Sequence, residues 1–319
     1  MAVHRDALDV AGPDYAGRIP LTHMSADEED RPTTGDWLAF DSTTRRTMAI
    51  YPRSSLFKRR SAGTANRMQL IAANVDTVFF VTSANHDFNV SRLERYLALA
   101  HEAKVLPVVV ITKIDLVEDA AAFIENARAI RQGLLVEAID ARDPHGLGPL
   151  APWLGRGQTI ALMGSSGVGK STIVNTMMGT SIQATQGIRE DDAKGRHTTS
   201  GRSLHRMPPG AWLMDTPGMR ELQIVDASLG IDAVFDDLTA LALKCRFTDC
   251  HHGNEPGCAV REAVEAGTID PGRLKRFQKL RREERKNSEA VHEAHDRYRK
   301  FGKLAKKVQA EKVKRTRDW

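Results

Sequence analysis

The most constraining feature of the sequence is the segment from Gln158 to Gly179, which predicts a strand, a glycine-rich turn and a helix. Thr159 to Met163 is an apolar run of strand length, and the residues that follow match GxxxxGKS, the pattern of a phosphate-binding P-loop. Glycines let successive N–H groups converge on the phosphates, and a helix that begins at Lys170 points its positive dipole at them. A chance match in a Gly/Ser-rich loop is the alternative, against which the flanking strand and apolar helix argue. The predicted nucleotide-binding residues of this segment are Gly164, Ser165, Ser166, Gly167, Val168, Gly169, Lys170, Ser171 and Thr172.

The P-loop lysine and serine, together with a second motif downstream, indicate the magnesium complex of a nucleoside triphosphate. Lys170 is expected to reach the β- and γ-phosphate oxygens and to act in catalysis, and the Ser171 hydroxyl to bind Mg²⁺. Residues 211–214 predict a strand that ends in the sequence DTPG. Asp215 would hold Mg²⁺ through water, and the Gly218 N–H would sense the γ-phosphate. A P-loop followed by a strand-terminal DTPG excludes most non-nucleotide functions.

From residue 66 onward, apolar strand-like runs alternate with amphipathic helical segments, which is typical of a parallel α/β sheet. Ligand sites in such sheets lie at the carboxyl ends of strands. One such end reads Thr112-Lys113-Ile114-Asp115. The Asp115 carboxylate can accept from both N1–H and the 2-amino group of guanine, and the stem of Lys113 can lie across the base. These residues predict GTP over ATP; a plain loop after a strand is the alternative.

The polar segment 180–206 between the P-loop and DTPG is predicted to be a functional loop. Thr198 or Thr199 is expected to bring a hydroxyl to Mg²⁺ when the γ-phosphate is present. Met219 stands where many GTPases place the glutamine that orients the attacking water, so we expect slow intrinsic hydrolysis. His197 is the candidate for this task, because an imidazole can orient or deprotonate a water; a surface histidine in a polar loop is the alternative.

All three cysteines lie within 14 residues, which favours a metal site over disulfides. Cys245, Cys250 and Cys258 with one histidine make a closed Cys₃His set, which predicts one structural zinc ion. His252 fits better than His251, because ligation by adjacent residues strains the geometry. Free buried thiols are the alternative.

The net charge of +5 is unevenly distributed. Residues 270–319 carry 18 Lys and Arg against 8 Asp and Glu, and they predict a helical tail with Leu274, Phe277 and Leu280 as an apolar stripe. Concentrated basic charge indicates a phosphate-backbone partner, so RNA binding is favoured over a solvated helix. The sequence contains neither a membrane-length apolar run nor an apolar secretory leader, so we expect a cytoplasmic protein without a membrane partner.

The order of the motifs predicts the domain organisation. The guanine-reading residues precede the P-loop, whereas the usual order places them after DTPG, so the domain is predicted to be a circular permutant. The predicted class is α/β, with a circularly permuted P-loop GTPase domain at residues 65–225. It lies between an N-terminal OB-type β-barrel at 1–64 and a C-terminal zinc-binding, mostly helical domain at 226–319.

In this order the motifs resemble the RsgA (YjeQ) family of circularly permuted GTPases, bacterial factors in small ribosomal subunit maturation. The resemblance covers nearly the whole chain. It is carried by GDW at residues 35–37, NVDTVFFVTSANHDFNVSRLERYL, TKIDL, GSSGVGKST, KGRHTT, DTPGMREL and a C-x4-C-x-H-x5-C pattern that leads into GCAVREAVEAG.

The resemblance implies GTP hydrolysis stimulated by the small (30S) subunit and rRNA contacts from the outer domains. It also implies His252 as the zinc ligand and His197 as part of the switch. Thr112 stands where asparagine is commonest, which is expected to loosen the base-reading loop. Asp140 replaces the usual serine before Ala141, so the Ala141 N–H is expected to support the guanine O6.

The leading hypothesis is therefore a monomeric GTPase that converts GTP to GDP and phosphate with Mg²⁺ and carries one structural zinc ion. It would bind the immature 30S subunit and its rRNA through basic outer modules, and hydrolysis would release it. The alternative is a nucleotide-switched RNA-binding chaperone in which hydrolysis is incidental.

Overall fold

The computed structural model describes residues 2–4, 6–12, 15–21, 30–60, 68–179, 203–208, 210–215 and 224–288. The strands are β1 (Ala2–Val3), β2 (Ala7–Ala11), β3 (Ala16–Pro20), β4 (Leu38–Phe40), β5 (Thr47–Ile50), β6 (Leu56–Arg60), β7 (Met68–Ala73), β8 (Thr77–Ser83), β9 (Leu106–Thr112), β10 (Leu135–Ala138), β11 (Thr159–Met163), β12 (Ser203–Arg206) and β13 (Trp212–Asp215). The helices are α1 (Val90–Glu102), α2 (Ala121–Arg128), α3 (Lys170–Met178), α4 (Ser228–Val234), α5 (Asp236–Ala242), α6 (Ala259–Glu265) and α7 (271–288), with 3-10 turns at Ile114–Leu116 and His145–Trp153.

The centre of the fold is a parallel sheet in the order β10-β9-β8-β11-β13. Every residue of β8 and the last five residues of β9 are buried. A strand covered on both faces needs apolar side chains at successive positions, which the two runs VFFV and VVVI supply. Parallel pairing brings the carboxyl ends of these strands to one edge. The predicted α/β class with a central parallel sheet is confirmed.

The permuted order of the motifs is visible in this sheet. β8 lies between β9 and the P-loop strand β11, although β9 and β10 both precede β11 in the chain. The predicted guanine-reading segment and the P-loop are therefore close in space although they belong to separate parts of the sequence.

The N-terminal strands are all antiparallel. β1, β2 and β3 extend the sheet beyond β12, whereas β4–β5 and β6–β7 form two separate pairs. The predicted domain boundary at 64/65 falls within residues 61–67, outside the described residues, and stays a prediction. One expectation is wrong: the end of the polar segment 180–206 is a strand, because β12 pairs with β13 along Ser203–Arg206.

The C-terminal helices cover one face of α1. Gly230 of α4 is buried and packs against the backbone of Ala98 in α1, with no space for a side chain between them. The buried side chains of Phe235, Phe277 and Leu280 belong to the same apolar cluster as residues of the central sheet. The C-terminal part therefore shares its core with the sheet. None of the helices in the described ranges combines the length and apolarity that crossing a bilayer requires.

Buried ion pairs reinforce the contact between α1 and α7. The Glu94 carboxylate is fully buried, accepts from Arg276 at 2.8 Å and lies 3.6 Å from Arg273. Burial raises the pKa of Glu94, and the two arginines oppose that shift. Arg273 also pairs with Asp237 of α5 at 2.7 Å. Removing one partner of such a buried set is costly, because the remaining charge loses its compensation.

The close contact of α4 with α1 predicts that a side chain at position 230 destabilises the fold. A Cβ on Gly230 would lie 2.0 Å from the Ala98 carbonyl oxygen, and backbone cannot yield as a side-chain tip does. We expect Gly230→Ala to lower the free energy of unfolding by about 2 kcal/mol or more in urea titrations. Gly148→Ala is the matched control, since a Cβ there has no neighbour within 4 Å. Equal stability of the two variants would contradict the packing described.

Candidate functional site

A cavity at the carboxyl edge of the sheet brings the predicted base-reading and phosphate-binding residues together. Its lining consists of Thr112, Lys113, Asp115, Asp140, Ala141, Arg142, Ser166, Gly167, Gly169, Lys170, Ser171 and Thr172. Two segments that are far apart in sequence thus face one space. Of the predicted P-loop residues, Gly164, Ser165 and Val168 are not part of this lining.

The P-loop backbone has the conformation that its glycines permit. Gly167 and Gly169 have φ of +74° and +99°, in the region that residues with a Cβ rarely adopt. A Cβ on Gly164 would lie 2.2 Å from the carbonyl oxygen of Val81 in β8, so the loop begins pressed against the sheet. α3 begins directly after Gly169, which leaves its first N–H groups free of helical partners and directed at the cavity.

Lys170 is held in the P-loop by main-chain oxygens. Its Nζ donates to the carbonyl of Gly164 at 2.9 Å and to that of Ser165, and the residue is only 9% exposed. The ammonium group is therefore already poised at the loop where phosphate oxygens would bind.

The predicted base-reading segment is a short turn that follows β9. Lys113 adopts a left-handed conformation with φ of +61°, and the 3-10 turn Ile114–Leu116 presents Asp115 as an exposed carboxylate at the cavity. A carboxylate with accessible oxygens can accept from two neighbouring N–H groups of a base edge. The geometry therefore supports the interpretation of Asp115 as a guanine reader.

Sequence reasoning missed Arg142 as a lining residue. Its backbone N–H donates to the Asp140 side chain at 2.9 Å, which closes a tight turn after β10. Ala141, at the centre of this turn, is buried. The signal was available, because this turn is a strand end next to the base-reading segment.

Several predicted site residues lie outside the described part of the chain. These are His197, Thr198, Thr199, Gly218 and Met219. Asp215 is the last residue of β13, so its main chain ends at the cavity edge of the sheet; its side chain is outside the described part.

A second site is formed by the four predicted metal ligands between α5 and α7. The Nδ1 atom of His252 lies 3.7, 3.6 and 3.5 Å from the sulfurs of Cys245, Cys250 and Cys258, and the Cys245 and Cys258 sulfurs are 3.9 Å apart. Tetrahedral coordination at ordinary zinc bond lengths requires about 3.6 Å between N and S and about 3.8 Å between two sulfurs. The donor set therefore fits a tetrahedral metal ion.

The surroundings of His252 explain why it, and not His251, faces the sulfurs. His252 has a left-handed φ of +58° and is 8% exposed, whereas His251 is exposed. Gln278 of α7 donates to the His252 carbonyl at 2.9 Å and holds the turn in place. Burial lowers the pKa of His252, which favours the neutral imidazole that a metal ligand needs.

Comparisons with known proteins agree with this geometry. The RsgA GTPase family model matches residues 50–225. The small ribosomal subunit biogenesis GTPase RsgA 2 of Vibrio parahaemolyticus is 47% identical over 287 residues, which are 90% of this chain and 80% of that protein. RsgA of Mesorhizobium japonicum is 48% identical over 289 residues, covering 90% of this chain and 83% of the relative.

Solved structures show the same fold. YjeQ from Thermotoga maritima aligns with a TM-score of 0.59 and 25% identity, over 83% of this chain and 89% of the other. YloQ, described as a circularly permuted GTPase, aligns with a TM-score of 0.57 and 22% identity over 91% of both chains. The latter comparison bears on the fold alone.

The metal site predicts a difference between two adjacent histidines. We expect His252→Ala to lose most of the bound metal and to unfold at a lower temperature, because three thiolates alone leave the fourth position open. His251→Ala should keep about one metal ion per chain, since its side chain does not face the sulfurs. Elemental analysis of the purified variants and thermal melts measure both effects. Equal metal content in the two would contradict the ligand assignment.

Proposed function

The chain belongs to the RsgA GTPase family, and on this premise we propose that it hydrolyses GTP during biogenesis of the small ribosomal subunit. The observation that carries the proposal is the single cavity shared by Asp115 and the P-loop residues Lys170 and Ser171. A base reader and a phosphate cradle on one space fit one guanine nucleotide.

In this proposal each part of the cavity binds one part of GTP. Lys113 and Asp115 bind the base from the β9 side, and the turn at Asp140–Arg142 approaches it from the β10 side. The N–H groups of the P-loop and the Lys170 ammonium bind the β- and γ-phosphates and stabilise the charge that develops on them during hydrolysis. The groups that would hold Mg²⁺ are Ser171, Asp215 and Thr198 or Thr199, and the ion neutralises charge shared by the two phosphates.

The water that attacks the γ-phosphate needs a partner other than residue 219, because a methionine side chain neither accepts nor donates a strong hydrogen bond. His197 remains the proposed partner. We infer that the small subunit helps to place His197 beside this water, so that hydrolysis is slow in the free protein and fast in the complex. This gives a physical reason for the proposed stimulation by the small subunit.

For the second site we propose a structural zinc ion. Four protein ligands fill a tetrahedral shell and leave no position for a substrate, so the ion would hold the turn between α5 and α6 rather than take part in chemistry. Cys258 is also the N-cap of α6, so the metal would fix the start of that helix.

Contacts with rRNA are proposed for the solvent face of α7. Lys275, Lys279 and Arg282 are exposed and recur at helical spacing on one side, which suits a phosphate backbone. In contrast, Arg273, Arg276 and Arg281 bind carboxylates of the same chain. We further propose a monomer that acts in the cytoplasm, where ribosomal subunits are assembled.

Ribosome dependence is tested by GTP turnover with purified subunits. We expect small subunits to raise kcat by at least about tenfold, because the complex would complete the set of groups that positions the water. Large subunits at equal concentration are the control and should have little effect. Turnover that is the same with and without small subunits would count against the proposed function.

Base recognition is tested by Asp115→Asn. The asparagine amide can donate to the 2-oxo group of xanthine while it repels the 2-amino group of guanine, so we expect nucleotide preference to shift from GTP toward XTP by about tenfold or more. Glu118→Gln is the matched control, since Glu118 is an exposed carboxylate nearby that does not line the cavity. Unchanged GTP affinity in Asp115→Asn would exclude this base-binding mode.

A further inference from the structure

Two threonine hydroxyls connect the base-reading turns to the P-loop segment. Thr112 Oγ1, at the end of β9, donates to the Val168 carbonyl of the P-loop at 2.6 Å. Thr176 Oγ1, on α3, donates to the Ala141 carbonyl of the turn after β10 at 2.7 Å. Both contacts join segments that lie far apart in the chain. Each base-reading turn is therefore tied to the phosphate-binding segment by one side chain.

Thr112 is the more constrained of the two. Thr112 is fully buried. Its hydroxyl has one proton and two possible acceptors, the Val168 carbonyl at 2.6 Å and the Thr82 carbonyl at 3.1 Å, and the nearer one is favoured. A Cβ built on Gly169 would lie 3.4 to 3.6 Å from the oxygen and carbons of the Thr112 side chain, so this side chain packs directly beneath the P-loop. Lys113 follows at once and turns the chain toward Asp115.

Thr176 fixes the other turn from the opposite side. Its hydroxyl donates to the Ala141 carbonyl oxygen, and the N–H of Arg142, at the other end of the same peptide unit, donates to the Asp140 side chain at 2.9 Å. A peptide unit held at both ends cannot rotate freely. The Ala141 N–H next to it is then presented to the cavity in a defined direction.

We propose that Thr112 and Thr176 are positioning residues for guanine recognition: they hold both base-reading turns in register with the loop that binds the phosphates. This inference rests on the proposed GTP-binding function. A nucleotide contacts both halves of the cavity at once, so a shift between the halves weakens base contacts while it leaves the phosphate contacts in place. The sequence predicted a looser base-reading loop, because Thr112 stands where asparagine is commonest. In the structure the Thr112 hydroxyl instead connects this loop to the P-loop.

The experiment separates base reading from phosphate binding. Dissociation constants are measured for slowly hydrolysed analogues of GTP, of ATP and of ITP, which lacks the 2-amino group, and for inorganic tripolyphosphate as a probe of the P-loop alone. We expect Thr112→Val to reduce the GTP-over-ITP preference by about tenfold, with tripolyphosphate affinity within about twofold of wild type. Thr176→Val should reduce the GTP-over-ATP preference, since its turn supports the O6 side of the base.

Matched variants distinguish positioning from general structural damage. Thr112→Ser keeps the hydroxyl and should restore the preference. Thr77→Val makes the same change at a buried threonine, the first residue of β8, at the end of the sheet away from the cavity. It should leave all affinities unchanged. If Thr112→Val does not fold, Thr176→Val, on a half-buried face of α3, carries the test alone.

The outcomes are distinct. Retained base discrimination in the threonine variants, or equal losses of nucleotide and tripolyphosphate affinity, would overturn the positioning role. A wild-type protein that binds GTP no better than ATP would instead overturn the proposed function on which the inference rests.

Discussion

Parallel hydrogen bonding of β8 with β9 on one side and β11 on the other is the interaction on which the site depends. The registers pair Phe80 with both Val109 and Met163, and Ser83 with Thr112. β11 therefore ends about 10 Å lower than β9 along the strand direction, as expected for a three-residue step. The P-loop spans this distance along the strand direction and contacts Thr112 at the carboxyl end of β9. A one-residue slip of either pairing would reverse the faces of the strand and separate the two halves of the cavity.

The parts of the fold with strong local signals were predictable from the sequence. β11 and the start of α3 lie at the predicted residues. β8 and β9 belong to the apolar strand-like runs predicted from residue 66 onward, which are recognisable because strands buried on both faces are continuously apolar. β1, β6 and β12 were missed because they are short or polar: β6 ends in Lys-Arg-Arg, and β12 reads Ser-Leu-His-Arg. Strands this short, or with charged residues in place of apolar ones, show no alternating or continuous apolar pattern in the sequence.

The candidate sites also contain some features that local sequence motifs predict and others that only the folded structure shows. Motif spacing was sufficient to predict that Asp115 and most P-loop residues face one cavity and that three cysteines and His252 lie together, because spacing within one turn or loop limits where the side chains can meet. It could not predict the hydrogen bonds made by Thr112 and Thr176, which depend on contacts between distant segments. Nor does charge alone reveal that Arg273 and Arg276 point inward at Glu94. A basic helix can be a binding surface on one side and an internal ionic contact on the other.

The continuous core beneath α4 and α7 has a consequence for how the molecule responds to its ligands. Cys258 and Phe277 belong to the same apolar cluster as Val78 and Leu97, so the metal-ligand region and the sheet do not have separate cores. Elements that share a core unfold together, and any ligand that binds only the folded state stabilises all of them. A metal ion and a nucleotide bound at the two sites would therefore be linked through one folding equilibrium: each would raise the population of the folded state that binds the other.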